Sequence, residues 1–406
     1  MKVLFYSHFF PPETGAASVR ANYFAKTLKE AGHKVLVIAP KPNYPLSRIF
    51  DGYNKKFIVK DKQKNVVYLP ILAVSSHSPF GRLISYLSYS LFSFFYLLFN
   101  SYRPDIVISS SPPIFTSFAA LIYSKIKRSQ FIFDIRDVWP DIGVELGILK
   151  SKIFIAGLKK IEKNLLNNSS KIIVTANGDK HNILSKVNDQ NKCEIIFNGA
   201  DTEIFKPISE DEKKIIRNKN DIPINKKVVI YFGSYNHGMN DINMLGKFLR
   251  DEKVAKQNIH FLSIGSGDNL QNLLKNIKSN ITYTSFESLP MEEVAVLIAA
   301  SDISIIPRKN LQNDTGGNIP VKCFESWAAG IPVLLSNIQD AEITNIFNRC
   351  NSGVLVEPND IKALIDGLYR IINQDPDNIK LNARNFVIEN FDRKKQSKKL
   401  LRIIEN

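Results

Sequence analysis

Cysteine and acid are both scarce in this chain. Three cysteines among 406 residues, Cys193, Cys323 and Cys350, are too few and too widely spaced for a disulfide framework or a four-ligand zinc site, which points to a reducing compartment. The 39 acidic residues are outnumbered by 54 basic ones, leaving a net charge of +15. Such an excess invites a nucleic-acid partner, yet KKIEKN, DEKKIIRNKN and DRKKQSKK each mix Lys or Arg with acids or amides. No helix-turn-helix, zinc-finger or RNA-binding motif stands out, so nucleic acid is not expected as a partner. The basic runs read as solvated surface or as attraction to an anionic membrane leaflet, worth about 1 kcal/mol per basic residue near the surface. The opening MKVLFYSHFFPPE lacks the small-residue cleavage site of a secretory leader and reads as a first strand.

What is present is an ordinary globular composition, 44% hydrophobic and 23% charged, over a length that suits two domains. Apolar strand runs alternate twice with helical periodicity. KVLFYSH, KVLVIAP, NVVYLPIL, DIVISSS, FIFDI and KIIVT form a first series, and KVVIYFG, IHFLSIG, ITYTS, DISIIP and PVLLS a second. Strands this apolar, separated by helices, predict α/β domains with parallel sheets covered on both faces. Helices are expected over 239–252, 268–278, 290–300 and 321–329, with one long basic helix over about 377–404 closing the chain. The punctuation NGADTEIFKP places the boundary near 205, giving domains 1–205 and 206–387, with residues 388–406 packing back on the first.

In open parallel sheets ligands bind beyond the carboxyl ends of the strands, so the loops there are the candidate site. After the first strand, Gly15 permits close backbone approach and Ser18 is placed to cap the following helix. FDIRDVWPDIGVELG sets Arg136 and Asp137 at a strand end; they pair with each other or face a ligand. In YFGSYNHGMND, Gly233 and Gly238 flank a loop, Ser234 within it, that can offer N–H groups to a phosphate, with His237 a donor to it or an ordinary loop histidine. The richest stretch is residues 305–336. Arg308 and Lys309 lead into a polar loop holding Asp314, Gly316 and Gly317, and then a helix carrying Lys322 and Glu325 three positions apart. A positive helix end, glycine N–H groups and Lys322 or Arg308 make a diphosphate cradle, and Glu325 can accept hydroxyls of a ribose. The bland alternative is a surface Lys322–Glu325 pair worth about 0.2–0.5 kcal/mol.

Leu83–Tyr102, LISYLSYSLFSFFYLLFNSY, contains no charged residue and would be about 30 Å long as a helix, near the thickness of a bilayer's hydrocarbon. Its serines and tyrosines suit a spanning helix poorly. It reads as a core helix or as a segment inserted in one leaflet, and not as a span.

With these residues assembled, the chain resembles a family-4 glycosyltransferase of the GT-B fold, over nearly its full length. The resemblance is carried by the glycine loop and helix ending AGHKV, by NGADTEIFKP, by PVKCFESWAAGIPVLLS and by GVLVEPND. Within the family, RDVWPDIGVELG and SSPP are similar to enzymes that add N-acetylaminosugars, such as fucosaminyltransferases of O-antigen and capsule assembly. The resemblance implies two Rossmann-like domains facing a cleft, and transfer from a UDP-sugar with retained anomeric configuration and no metal or other cofactor. The implied acceptor is a polyprenyl-diphosphate-linked saccharide, with the enzyme cytoplasmic and peripheral on the inner face of the membrane through residues 83–102. Glu325 would hold the nucleotide ribose, Lys322 and the Gly316–Gly317 loop the diphosphate and donor sugar, and Gly15 the point where donor and acceptor meet. Arg136 and Asp137 would lie near the reacting sugar. Two positions depart from the family pattern. Gly317 stands where many members have a first glutamate, with Asp314 a possible substitute, and residues 235–238 lack the usual Arg and Lys, which Arg308 or Lys309 can replace. The alternatives are a UDP-sugar 2-epimerase of the same fold and a non-catalytic nucleotide-sugar-binding scaffold.

Overall fold

Strands buried on both faces build the first sheet, as their apolar runs require. In the computed structural model, residues 1–44, 47–74, 78–236, 238–309, 319–339 and 341–405 are described. Eight strands run β3 (Val59–Asp61), β4 (Val66–Leu69), β2 (Lys34–Pro40), β1 (Lys2–Tyr6), β5 (Ile106–Ser111), β6 (Gln130–Ile135), β7 (Lys171–Val174) and β8 (Cys193–Ile195) across the sheet. All pairings are parallel except β3 with β4. The second sheet has six parallel strands in the order β11 (Thr282–Phe286), β10 (Ile259–Ile264), β9 (Lys227–Phe232), β12 (Ile303–Pro307), β13 (Val333–Ser336) and β14 (Gly353–Val356). Two compact units result: Met1–Asn198 with Lys394–Asn406, and Gly199–Arg393.

The edge strands β3 and β8 are absent from the sequence reading. At three residues each they are too short to show alternation or an apolar run.

Helices of the first unit fall on two faces of its sheet. α1 (Ala16–Glu30) sends Phe24 and Leu28 onto Val3 and Phe5, and Leu400 and Ile404 of the helix Arg393–Glu405 join the same core. On the other face lie α2 (Pro79–Leu98), α3 (Ile114–Lys127) and, after the short α4 (Asp141–Glu145), α5 (Lys152–Asn168). Tyr89, Tyr123 and Leu165 from these helices meet Leu4 and Tyr6. Among the described residues no helix is long and apolar enough to cross a membrane.

Two helix expectations need correction. Ser18 does not cap α1: it lies inside the first turn, fully buried, while Gly15 is the N-cap and offers no side-chain bond. The closing helix is not continuous over 377–404 but splits into Pro376–Asn390 and Arg393–Glu405. The carbonyl of Phe391 accepts from the N–H of Ala200 at 3.0 Å, and the Arg393 N–H donates back to the Ala200 carbonyl at 2.8 Å. That exchange diverts backbone groups that would have continued the helix. Gly199 is required beside it, because its φ is +60° and a Cβ there would lie 2.0 Å from the Phe391 oxygen.

The first unit is stapled internally by a buried ion pair. Arg20 on α1 meets Asp134 on β6 at 2.8 Å, with 5% and 1% of the side chains exposed. Arg20 also donates to the Ile196 carbonyl at 2.9 Å and to the Asn198 side chain at 3.3 Å. Removing one partner strands the other charge in the core, so Asp134→Ala should cost about 3–5 kcal/mol in denaturant unfolding. Replacing both, Arg20→Met with Asp134→Leu, should cost markedly less.

Candidate active site

At the carboxyl end of the first sheet, the chain leaving β1 supplies Ser7, His8 and the loop to Gly15. Glu13 folds back from this loop under the chain that leaves β2. One carboxylate oxygen accepts the N–H groups of Asn43 and Tyr44, both at 2.9 Å, while Oε2 is buried without a hydrogen-bond partner. Burial raises Glu13 to about 7, against those N–H bonds, which pull it down. His8 is also buried; desolvation, with repulsion from Arg136, lowers it to about 3, so its ring is neutral. Its ring meets those of Phe9, Tyr86 and Tyr89 edge-on, and Nδ1 lies 3.4 Å from the Thr116 hydroxyl.

Arg136 emerges from β6 into this group and is held by more than its neighbour in sequence. Its Nε donates to Ser110 Oγ at 2.9 Å, another guanidinium nitrogen donates to the Pro112 carbonyl, and the group lies over the Phe9 ring at 5.6 Å. Ser110 in turn donates to Asp134 at 2.9 Å, so the Arg20–Asp134 pair orients Arg136 through one hydroxyl. Burial lowers Arg136 and the charge of Asp137 partly restores it. Gly15 meets only Tyr44 at 3.7 Å from a hypothetical Cβ, so nothing in the fold itself demands glycine there.

The second unit gathers the other candidates beyond β9, β10 and β12. Gly233, with φ +129°, leaves space that Lys322 fills: a Cβ there would sit 2.7 Å from Lys322 Nζ. Lys322 comes from the first turn of the helix Val321–Ala328, whose N-cap is Pro320. Its ammonium lies 4.6 Å from the centroid of Tyr231. Burial lowers it to about 8, opposed by attraction to Glu325 and reinforced by Arg308. The alternative of a surface Lys322–Glu325 pair is not what forms: Glu325 lies 3.6 Å from Arg393, which also donates to the Gly199 carbonyl at 2.7 Å. Burial raises Glu325, with Arg393 and then Lys322 acting the other way.

Arg308 is buried at the end of β12 in a bridge with Asn240, reaching Met239 Sδ at 3.5 Å. The Ser234 hydroxyl accepts the Asn236 N–H at 3.2 Å and its carbonyl accepts from Tyr231 at 2.8 Å. Gly233, Ser234, Arg308, Lys322 and Glu325 thus share the carboxyl end of one sheet. His237, Asp314, Gly316 and Gly317 lie outside the described residues.

Sequence reasoning missed His8, Glu13 and Arg393. The first two sit in the loop after β1, where a strand-end rule applied to every polar residue would have found them. Arg393 is hidden in DRKKQSKK, read as solvated charge, although Asp392, Arg393, Gln396 and Ser397 are buried.

Two doubly wound α/β units with polar and cationic groups at the strand carboxyl ends define the GT-B glycosyltransferase class. Residues 17–204 match the model of "Glycosyltransferase Family 4" and residues 226–374 that of "Glycosyl transferases group 1". The chain belongs to this family of glycosyltransferases. It is 21% identical over 387 residues, 92% of each chain, to a putative colanic acid biosynthesis glycosyl transferase, WcaI, of Escherichia coli. Among solved structures, sucrose-phosphate synthase from Thermosynechococcus elongatus superposes with TM-score 0.74 and 17% identity over 100% of this chain and 98% of that one. Anabaena HepE in complex with UDP-glucose superposes with TM-score 0.69 and 15% identity over 100% and 99%.

The Glu13 environment gives a pH signature. Its native value of about 7 exceeds the ordinary 4.5, so the fold favours the protonated form. That contribution is full below pH 4.5 and is lost as pH climbs to 7. Glu13→Gln, neutral throughout, should match wild type in stability at the acid end of this window. Above it the variant should be the more stable, by up to about 3 kcal/mol in chemical unfolding.

Proposed function

We propose that this glycosyltransferase moves an N-acetylaminosugar from a UDP donor to a polyprenyl-diphosphate-linked saccharide, with retention, during bacterial surface-polysaccharide assembly. The observation that carries the donor side is the Lys322 ammonium standing in the gap left by Gly233, beside Arg308 and above a helix N-terminus. A diphosphate is the anion that two such cations at a strand end are suited to hold. As the glycosidic bond to the diphosphate breaks, charge develops on the leaving oxygen, and pre-positioned cations stabilise it without reorganisation. Glu325, oriented by Arg393, takes the ribose hydroxyls.

The first unit is assigned to the acceptor. Arg136, fixed through Ser110, faces the sugar or its diphosphate, with Asp137 beside it. The aminosugar reading rests on the likeness of residues 136–147 to enzymes that transfer such sugars, and the polysaccharide reading on WcaI. The lipid-linked acceptor places the reaction at the inner face of the cytoplasmic membrane.

Calorimetric titration with UDP, GDP and ADP tests the donor site. UDP should bind preferentially and Glu325→Ala should weaken it sharply; no binding by any nucleotide would overturn the donor site, and binding without transfer would show a scaffold. Turnover of UDP-aminosugars with lipid-linked acceptor should fall about 10²–10³-fold in Lys322→Ala and Arg308→Ala. Isomerisation of the donor without acceptor would instead show an epimerase.

Lys322 also sets a pH dependence. With its ammonium already lowered to about 8, UDP affinity should decline as pH rises through that value, because the free protein loses the proton a diphosphate needs. Lys322→Met should bind UDP more weakly and show no such decline.

A further inference from the structure

The polarity of α2 is turned outward. Its buried side carries Ser85, Tyr89, Ser93 and Leu97, four positions apart, while Leu87, Leu91, Phe95 and, just past its end, Phe99 point away, 39%, 58%, 51% and 84% exposed. The inward hydroxyls are all committed. Ser85 donates to the Leu72 carbonyl at 2.7 Å, Ser88 accepts the Leu72 N–H at 3.0 Å, and Tyr89 donates to the carbonyls of Ser7 and Ile38 at 2.9 and 3.0 Å. Tyr6 and Ser93 hydrogen-bond each other. Rotating the helix to bury its leucines would break every one of these bonds, so the apolar face is a fixed property of the fold.

The surface extends beyond one helix. α3 packs between α2 and α5 in the same layer and exposes Ile122 and Ile126, and α5 exposes Ile153, 88% accessible, and Phe154. Phe57 adds a ring 6.2 Å from that of Phe92, with Lys55 and Lys56 before it. Among the described residues of the second unit, the exposed large apolar side chains are only Ile215, Ile224, Tyr283, Val296 and Leu381, on separate segments.

Charge identifies the occupant. The sequences of α2, α3 and α5 contain Arg82 and six lysines but a single acid, Glu162, which is buried and held by Lys186 at 2.7 Å. A second copy of this face would oppose like charge to like. An anionic leaflet offers hydrocarbon to the Leu and Phe side chains and headgroups to the lysines around them.

We infer that the outer face of α2, α3 and α5 docks on an anionic lipid leaflet, with α2 lying in the interfacial plane. This inference rests on the proposed lipid-linked acceptor for its purpose, and on the surface of the first unit for its physics, so the two can fail separately.

Flotation of the full chain with phosphatidylcholine vesicles, with and without phosphatidylglycerol, tests it. Wild type should float with the anionic vesicles and much less with the neutral ones. Leu91→Ser with Phe95→Ser should lose flotation, and Lys152→Glu with Lys160→Glu should weaken it by about tenfold or more. Both variants should keep the wild-type unfolding midpoint and UDP affinity, which separates lost docking from lost folding. Failure of wild type to float with either vesicle would overturn the inference, as would unchanged flotation of the serine variant. A concentration-dependent dimer abolished by the same serine substitutions, without vesicle binding, would overturn it in favour of self-association. Wild-type flotation together with transfer only to water-soluble acceptors would keep the docking surface and discard the lipid-linked acceptor.

Discussion

The buried Arg20–Asp134 pair organises the first unit. Its cost is the desolvation of two charges, and the surroundings offset that cost with further hydrogen bonds from Ser110 to the carboxylate and from the guanidinium to Ile196 and Asn198. Asp134 receives Arg20 and Ser110; Arg20 also reaches Ile196 and Asn198, where the first long segment of the unit ends. A helix, two strands and the last residues of the unit's first segment are thereby registered to one another by one charge pair. Arg136 takes orientation from this pair through Ser110, and from the Pro112 carbonyl, so its aim is set in part below the sheet edge.

A comparable device occurs wherever the sequence shows a mixed charged run. KKIEKN contributes Glu162 to Lys186, DEKKIIRNKN contributes Arg217 to Asp302 at 2.7 Å, and DRKKQSKK contributes Arg393 to Glu325. In each run at least one charge is turned inward and paired: Lys213 joins Arg217 at Asp302, and Asp392 is buried beside Arg393. A run of Lys, Arg and Glu is therefore a poor guide to burial on its own. The partner that decides which residue is buried is distant in sequence, 85 positions away for Arg217 and 68 for Arg393.

Fold class and the long strands were legible in the sequence because buried parallel strands leave continuous apolar runs. The edge strands β3 and β8 were not, since three residues carry no period. The gathering of Gly233, Arg308, Lys322 and Glu325 at strand ends was legible as well. What could not be read was pairing: Lys322 and Glu325 share a helix face, yet one turns to Tyr231 and the other to Arg393. The closing helix looked continuous because its apolar spacing is uninterrupted, and its break is imposed by Gly199 and Ala200 from the far side of the second unit's sequence.

The serine-lined side of α2 reverses the usual rule of substitution. In most helices of a globular unit the apolar residues are confined by packing and the polar ones are interchangeable. Here each inward hydroxyl has a specific carbonyl or amide to meet, so Ser85 and Tyr89 allow almost no exchange. Outward positions such as Leu91 and Phe95 need only be greasy, and any large apolar side chain satisfies them. Mutational tolerance along this helix should therefore follow the alphabet backwards, strict at its polar letters and permissive at its apolar ones.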